Sequence, residues 1–121
     1  MLDIEQMRQM QIALQERYKE WWEPIEPARG LSKLMWMIGE VGEAGQVLKR
    51  KGHWNIMNTP EVRADFIEEL TDVLMYFNDV LLCYGITPEE FENAYRAKHE
   101  RNMTRWKIPD SVHKARTPDG K

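Results

Sequence analysis

The sequence predicts an all-α protein, a four-helix bundle-like protomer that assembles into a dimer or a dimer of dimers. Three observations carry this expectation. Apolar residues recur at helical spacing along most of the 121 residues. No segment alternates in the manner of a strand, and no internal repeat or low-complexity tract is present. Helix starts and stops also fall at regular places, marked by Asp, Thr-Pro and Gly.

The first helix opens at Asp3, with Gln6 three residues on as its capping-box partner. Ile4, Met7, Met10, Leu14, Tyr18 and Trp21 form one stripe. The helix is expected to stop near Trp22, because Pro24, Pro27 and Gly30 break the pattern. A second helix runs from about Leu31 to Lys51, with Leu34, Met37, Ile38, Val41 and Leu48 as its core stripe and Gly52 as its stop. The string GHWNIMN that follows reads as a loop.

Thr59 and Pro60 supply an N-cap and a first helical residue, so a third helix runs from there to Tyr84, with Gly85 as its stop. Val62, Phe66, Leu70, Val73, Leu74, Phe77 and Leu81 form one stripe on it, and Tyr76, Val80 and Cys83 another. A helix with two apolar sectors belongs at the centre of a fold or at a subunit interface. Thr87, Pro88 and Glu90 start the fourth helix, with Phe91, Ala94, Tyr95, Lys98 and Asn102 on one face. Residues 1–106 are thus expected to form the helical domain, and 107–121 a basic, partly disordered C-terminal arm.

Composition narrows the function classes. The longest apolar runs, Val73 to Phe77 and Val80 to Tyr84, fall far short of the roughly 20 residues of a membrane span. The N-terminal string MLDIEQMRQM lacks the plan of a secretion signal, so a cytoplasmic protein is expected. The single cysteine, Cys83, lies in the apolar string LLCY and reads as a buried thiol. Net charge is −3. Residues 1–97 carry −7 and residues 98–121 carry +4, an acidic body with a basic tail. No dense basic patch suggests nucleic acid as a partner.

The residues with chemical content are two acidic pairs. Glu40 and Glu43 lie in GEVGE, and Glu69 and Asp72 in EELTD, each pair at i, i+3 and so on one helix face. Like charges about 4 Å apart repel by roughly 4 kcal/mol at an effective dielectric near 20. Four carboxylates on facing helices therefore call for a cation. Mg²⁺, with Mn²⁺ as the alternative, suits oxygen ligands and brings phosphate substrates with it. The other reading of any acidic pair is a solvated helix face. Against it, Glu40 and Glu43 share their stripe with Trp36 and Val47, and Glu69 and Asp72 share theirs with Tyr76, Val80 and Cys83. Gly39, Gly42 and Gly45 recur within the second helix at roughly 0.8 to 1 kcal/mol each relative to alanine. Close helix packing or close approach of a ligand would each account for them.

At these residues the chain resembles the MazG-like members of the all-α nucleoside triphosphate pyrophosphatase superfamily. Glu40-Val41-Gly42-Glu43 matches the family's Glu-x-x-Glu pair, and Glu69-Leu70-Thr71-Asp72 its Glu-x-x-Asp pair. The downstream string KHERNMTRW resembles its Lys, Asn and Arg element, and the similarity runs in order over residues 18–106. Gly39 stands where many members carry a further glutamate. The resemblance implies hydrolysis of a (deoxy)nucleoside triphosphate to monophosphate and pyrophosphate, for instance in pool sanitation. Glu40, Glu43, Glu69 and Asp72 would then hold one or two Mg²⁺ as the catalytic centre. Glu68 would be a supporting residue or a solvated neighbour. Lys98 and Arg105 would neutralise phosphate charge, and Asn102 would bond to phosphate or sugar.

The base needs a flat apolar seat, and Trp21, Trp22, Trp36 and Trp54 are available. Trp21 continues the first helix's core stripe, so Trp22 and the loop residue Trp54 are the expected stacking partners. His53, beside Trp54, would contact substrate or be solvated. Rival readings are a non-catalytic helical oligomer that acts as a binding or regulatory module, and a hydrolase of another pyrophosphate such as phosphoribosyl-ATP. A ferritin-like di-iron bundle would need Glu-x-x-His motifs. The chain has none, since His53 and His99 follow Arg50 and Arg96 at that spacing.

Overall fold

The structure, a computed structural model, describes residues 1–106; the arm expected over 107–121 lies outside the described residues. All regular structure among them is helical: α1 (Ile4–Arg17), a single 3₁₀ turn (Pro27–Arg29), α2 (Gly30–Asn58), α3 (Pro60–Cys83) and α4 (Pro88–Arg105). The chain divides into two compact units, Met1–Pro88 and the part that begins at Glu89. No helix among the described residues is long and apolar enough to cross a membrane.

In the first unit, α2 and α3 form an antiparallel hairpin joined through Thr59, and α1 packs on α3. The expected capping box opens α1. The Gln6 N–H donates to Asp3 Oδ1, and the Asp3 N–H donates to Gln6 Oε1, both at 2.8 Å. The helix ends a turn earlier than expected. Tyr18 leaves helical geometry, and its carbonyl accepts from the N–H groups of both Trp21 and Trp22 at 2.9 and 2.8 Å. The Trp22 ring stacks on Tyr18, centroids 4.7 Å apart, which holds this separate turn closed. Trp21 therefore leaves the core stripe and is 78% exposed.

Gly52 interrupts the second helix as expected, but the segment after it is not a loop. With φ +81° and ψ 157°, Gly52 kinks α2, and the chain re-enters helix as far as Asn58. Two features make those residues helical. Ile56 is buried, and the side-chain amides of Asn55 and Asn58 donate to the carbonyls of Lys51 and Trp54 four residues back. Thr59 precedes α3 in extended geometry with Pro60 as the first helical residue, but its hydroxyl donates to Asn55 Oδ1 at 3.0 Å and does not cap the helix. At the other end, the Ile86 N–H reaches the Leu81 carbonyl and the Gly85 N–H that of Leu82. This closes a Schellman turn around Gly85 at φ +62°.

The interior of the first unit is unlike the core read from the sequence. Its most buried residues include Ala44, Ile56, Leu81 and Cys83, but also Gln11, Gln15, Lys33, Asn78 and Asp79. The stripe assigned to the core of α2 faces outward: Leu34, Ile38, Val41 and Leu48 are 38–52% exposed. Ile67, Leu70 and Leu74 on α3 are exposed as well. Helical periodicity locates an apolar stripe but not the surface that covers it. Nor does close helix packing explain the glycine series. A Cβ built on Gly39, Gly42 or Gly45 would meet nothing within 4 Å, whereas one on Gly30 would run into the Tyr84 ring.

The second unit contains nearly all of α4. Phe91 and Tyr95 lie with ring centroids 6.3 Å apart, and Arg96 Nε pairs with Glu92 at 2.8 Å one turn away.

Candidate functional site

The antiparallel hairpin places Trp36 opposite Tyr76, ring centroids 6.0 Å apart, and one turn along each helix it brings Glu40 to Asp72. Carboxylate oxygens of Glu40, Glu69 and Asp72 all lie within 4.8 Å of one another, each partly shielded from solvent. Glu43 is exposed and is not part of that group. Its charge is felt there all the same. Burial first, then the charges of Asp72 and Glu43, pushes the Glu40 carboxyl above its ordinary range. Glu69 is raised by desolvation and by its neighbours Glu40, Glu43, Asp72 and Glu68. Three carboxylates that converge in this way could together hold a divalent cation, which prefers hard oxygen donors.

Next to these acids is a cavity of about 660 Å³, within the range of small-molecule sites. Glu40 and Asp72 belong to its lining, as do the aromatic side chains Trp21, Trp22, Trp36 and Tyr76. Burial, followed by the charges of Glu40, Asp79 and Asp72, raises the Tyr76 phenol, which favours its protonated, donating form. Of the stacking candidates, Trp21, Trp22 and Trp36 line the cavity, whereas Trp54 lies on the terminal segment of α2, 66% exposed and outside the lining. His53 is exposed on the same segment.

Apart from Leu14 and Met75, the remaining lining is polar, and the sequence does not single out those polar residues. Asp79, 3% exposed, accepts at one oxygen from Gln11 Nε2 (2.8 Å) and Gln15 Nε2 (3.1 Å), both reaching from α1. Burial raises the Asp79 carboxyl, while the two amides and the charge of Lys33 oppose that rise. Lys33 is 2% exposed; its ammonium lies 5.0 Å from the centre of the Trp36 ring and donates to the Glu23 carbonyl at 3.4 Å. Glutamines on α1 read as solvent-facing, and Lys33 sits at a surface-like position in the pattern. Only Asp79 left a trace, as an acid inside the apolar run YFNDVLL. Cys83 is buried as expected, with its thiol pushed up by desolvation.

Lys98, Asn102 and Arg105 all lie on α4, in the second unit, at i, i+4 and i+7 and hence on one helix face. Arg105 is 5.0 Å from the Trp106 ring centre. Among known proteins, the chain matches no family model, no curated protein and no solved structure.

Proposed function

We propose that the protein is a Mg²⁺-dependent hydrolase of (deoxy)nucleoside triphosphates that releases pyrophosphate and a nucleoside monophosphate. The observation that supports this best is the adjacency of the acid cluster of Glu40, Glu69 and Asp72 to an aromatic-lined cavity of nucleotide size. The ordered acidic motifs shared with MazG-like enzymes add to it. Glu40, Glu69 and Asp72 would hold the ion, and the nearby charge of Glu43 would add to its attraction. When bound, the ion draws charge from the phosphates and acidifies a water it holds. Mn²⁺ would serve the same donors. Trp21, Trp22 and Trp36 provide apolar faces for the base.

The exposed stripes of Leu34, Ile38, Val41 and Leu48 on α2, and of Ile67, Leu70 and Leu74 on α3, support a further part of this reading. Apolar rows along two adjacent helices are the kind of surface that a partner covers. A second copy of the chain covers them by a two-fold contact in which each stripe meets its own equivalent.

The test of the catalytic reading is pyrophosphate release from a panel of NTPs and dNTPs, with Mg²⁺ and with EDTA, by wild type and Glu69→Gln. Release that needs the metal and is lost in Glu69→Gln is expected. Folded protein that releases nothing from any of them would sink NTP hydrolysis and favour another pyrophosphate, phosphoribosyl-ATP among them, or a non-catalytic binding role.

A further inference from the structure

One wall of the cavity is held in place more weakly than the other. Gln11, Leu14 and Gln15 on α1, with Trp21, Trp22 and Glu23 in the turn that follows, form one side, and α2 and α3 supply the rest. Within the first unit α1 packs on α3 and not on α2. The buried residues of α1 are two glutamines, and both donate to the single oxygen Asp79 Oδ1. Its apolar side chains add little: Met10 and Ile12 are exposed, and Ile4, Met7 and Leu14 are half-buried. A second cavity, of about 300 Å³, also lies against α1, lined by Ile12, Gln15 and Glu16 and by Ile25 and Leu82. A helix that borders two voids forfeits the dispersion contacts of a filled interface.

The turn after α1 is tied down no better. The Glu23 carbonyl accepts from Lys33 across a long 3.4 Å, its carboxylate pairs with Arg29 at 3.7 Å, and its Oε1 is buried with no partner. The next residues differ, since the 3₁₀ turn Pro27–Arg29 packs on both α2 and α3. Few buried apolar contacts mark the parts of a protein that open ahead of the rest. Residues 4–26 meet that description, and the docked 3₁₀ turn gives them a hinge.

We propose that residues 4–26 are a lid: α1 and its turn swing away from the α2–α3 hairpin about the 3₁₀ turn while the hairpin stays folded, and they close over a ligand in the cavity. Opening breaks the hydrogen bonds of Gln11 and Gln15 to Asp79 and of Lys33 to Glu23, and takes one wall away from Trp36, Tyr76, Glu40 and Asp72. A ligand that fills the cavity meets Trp21 and Trp22 on the lid and Trp36 and Tyr76 on the hairpin, and so favours the closed form. Only the nature of that ligand rests on the nucleotide reading.

Cys83 reports the opening. It is the chain's one cysteine, 3% exposed, and the Glu26 backbone is hydrogen-bonded to its sulfur. In ligand-free protein, amide exchange by mass spectrometry and labelling of Cys83 with dithionitrobenzoate are followed from zero to low urea. The opening constants of residues 4–17 and of Cys83 are expected to exceed those of residues 66–80 on α3 by about tenfold or more, and to change little with urea, since a local opening exposes little surface. Constants equal to those of α3, with the same urea dependence, would show that α1 opens only when the whole unit unfolds, and would overturn the lid whatever the cavity binds. Fast labelling of Cys83 without fast exchange in α1 would be fraying at the end of α3 and would overturn it too.

In a second arm, Mg²⁺ and the four dNTPs carrying an α,β-imido bridge, which resists cleavage there, are titrated calorimetrically, and both opening constants are read at saturation. An analogue that binds is expected to lower them by about tenfold or more, as a ligand bound only to the closed form must. Binding that leaves them unchanged would overturn closure over the ligand. Binding by none of the four would sink the nucleotide reading instead, and the ligand-free arm decides the lid in that case.

Discussion

Gln11 Nε2 donates to Asp79 Oδ1 across 2.8 Å, joining residues 68 positions apart and fastening α1 to α3 through an interior that is polar at that point. Gln15 adds a second donor to the same oxygen at 3.1 Å. Removing the shared acceptor leaves two buried amides unsatisfied. Asp79→Ala should therefore destabilise the protein by about 1–3 kcal/mol in urea melts. Asp79→Asn keeps an acceptor oxygen and should cost clearly less. Equal losses in the two variants would show that the amides do not depend on that oxygen.

The acid cluster predicts a pH-dependent response to metal. Glu40 and Glu69 both lie above their ordinary value of 4.5, facing Asp72, Glu43, Glu68 and the Tyr76 phenol. A carboxyl whose pKa is higher in the folded than in the unfolded state stabilises the fold below its unfolded value and loses that contribution as pH rises through the folded one. As pH rises from about 4.5 upward, the metal-free protein should lose melting temperature on this account, and Glu69→Gln should lose less. Mg²⁺ should restore wild type most at the upper end, where the carboxylates are ionised. Scanning calorimetry with EDTA and with Mg²⁺ checks both; a Mg²⁺ effect no larger at the upper pH would count against a shared ion.

Gly30 carries no side chain because the Tyr84 ring occupies the space a Cβ would need. Tyr84 is itself exposed, so the ring can swing outward. Gly30→Ala should cost about 1 kcal/mol, the low end for overpacking. In the Tyr84→Ala background that cost should vanish, and a double-mutant cycle by denaturant melting reads the coupling.

The glycines of α2 separate the free surface from the proposed contact between copies. By spacing, Gly45 lies among Ile38, Val41 and Leu48 on the exposed stripe, and Gly39 does not. Nothing in the protomer opposes a Cβ at either position. Gly39→Ala should stabilise the protein by about 0.8–1 kcal/mol from helix propensity alone. Val41→Glu should convert the oligomer to protomers in sedimentation velocity, and Gly45→Ala should weaken association. Wild type that sediments as a protomer would dismiss the contact.

The helices were largely legible because their signals are local. Asp3 with Gln6, Pro60 after Thr59, and Gly85 all act within a few residues of themselves, and the structure uses each of them at a helix boundary. The segment after Gly52 was not legible, since its glycine and asparagines read as breakers. The burial of Ile56 and the return of both asparagine amides to carbonyls one turn back made it helical. The acid cluster lies in between: i, i+3 spacing pairs Glu69 with Asp72, but only the hairpin register across Thr59 adds Glu40 and leaves Glu43 outside.

The sequence by itself determined the all-α class, the helix boundaries at Asp3, Pro60 and Gly85, and which carboxylates share a helix face, because these depend on groups within a turn or two of one another. The tertiary structure alone decided what those faces meet. It turned the supposed core stripe of α2 outward and drew Gln11, Gln15, Lys33 and Asp79 inward. It also placed a cavity between the tryptophans and the acids. Polar side chains read as solvated in a sequence because burial costs them their water. They become interior residues only where distant partners restore those hydrogen bonds, as Asp79 does for two glutamines on another helix.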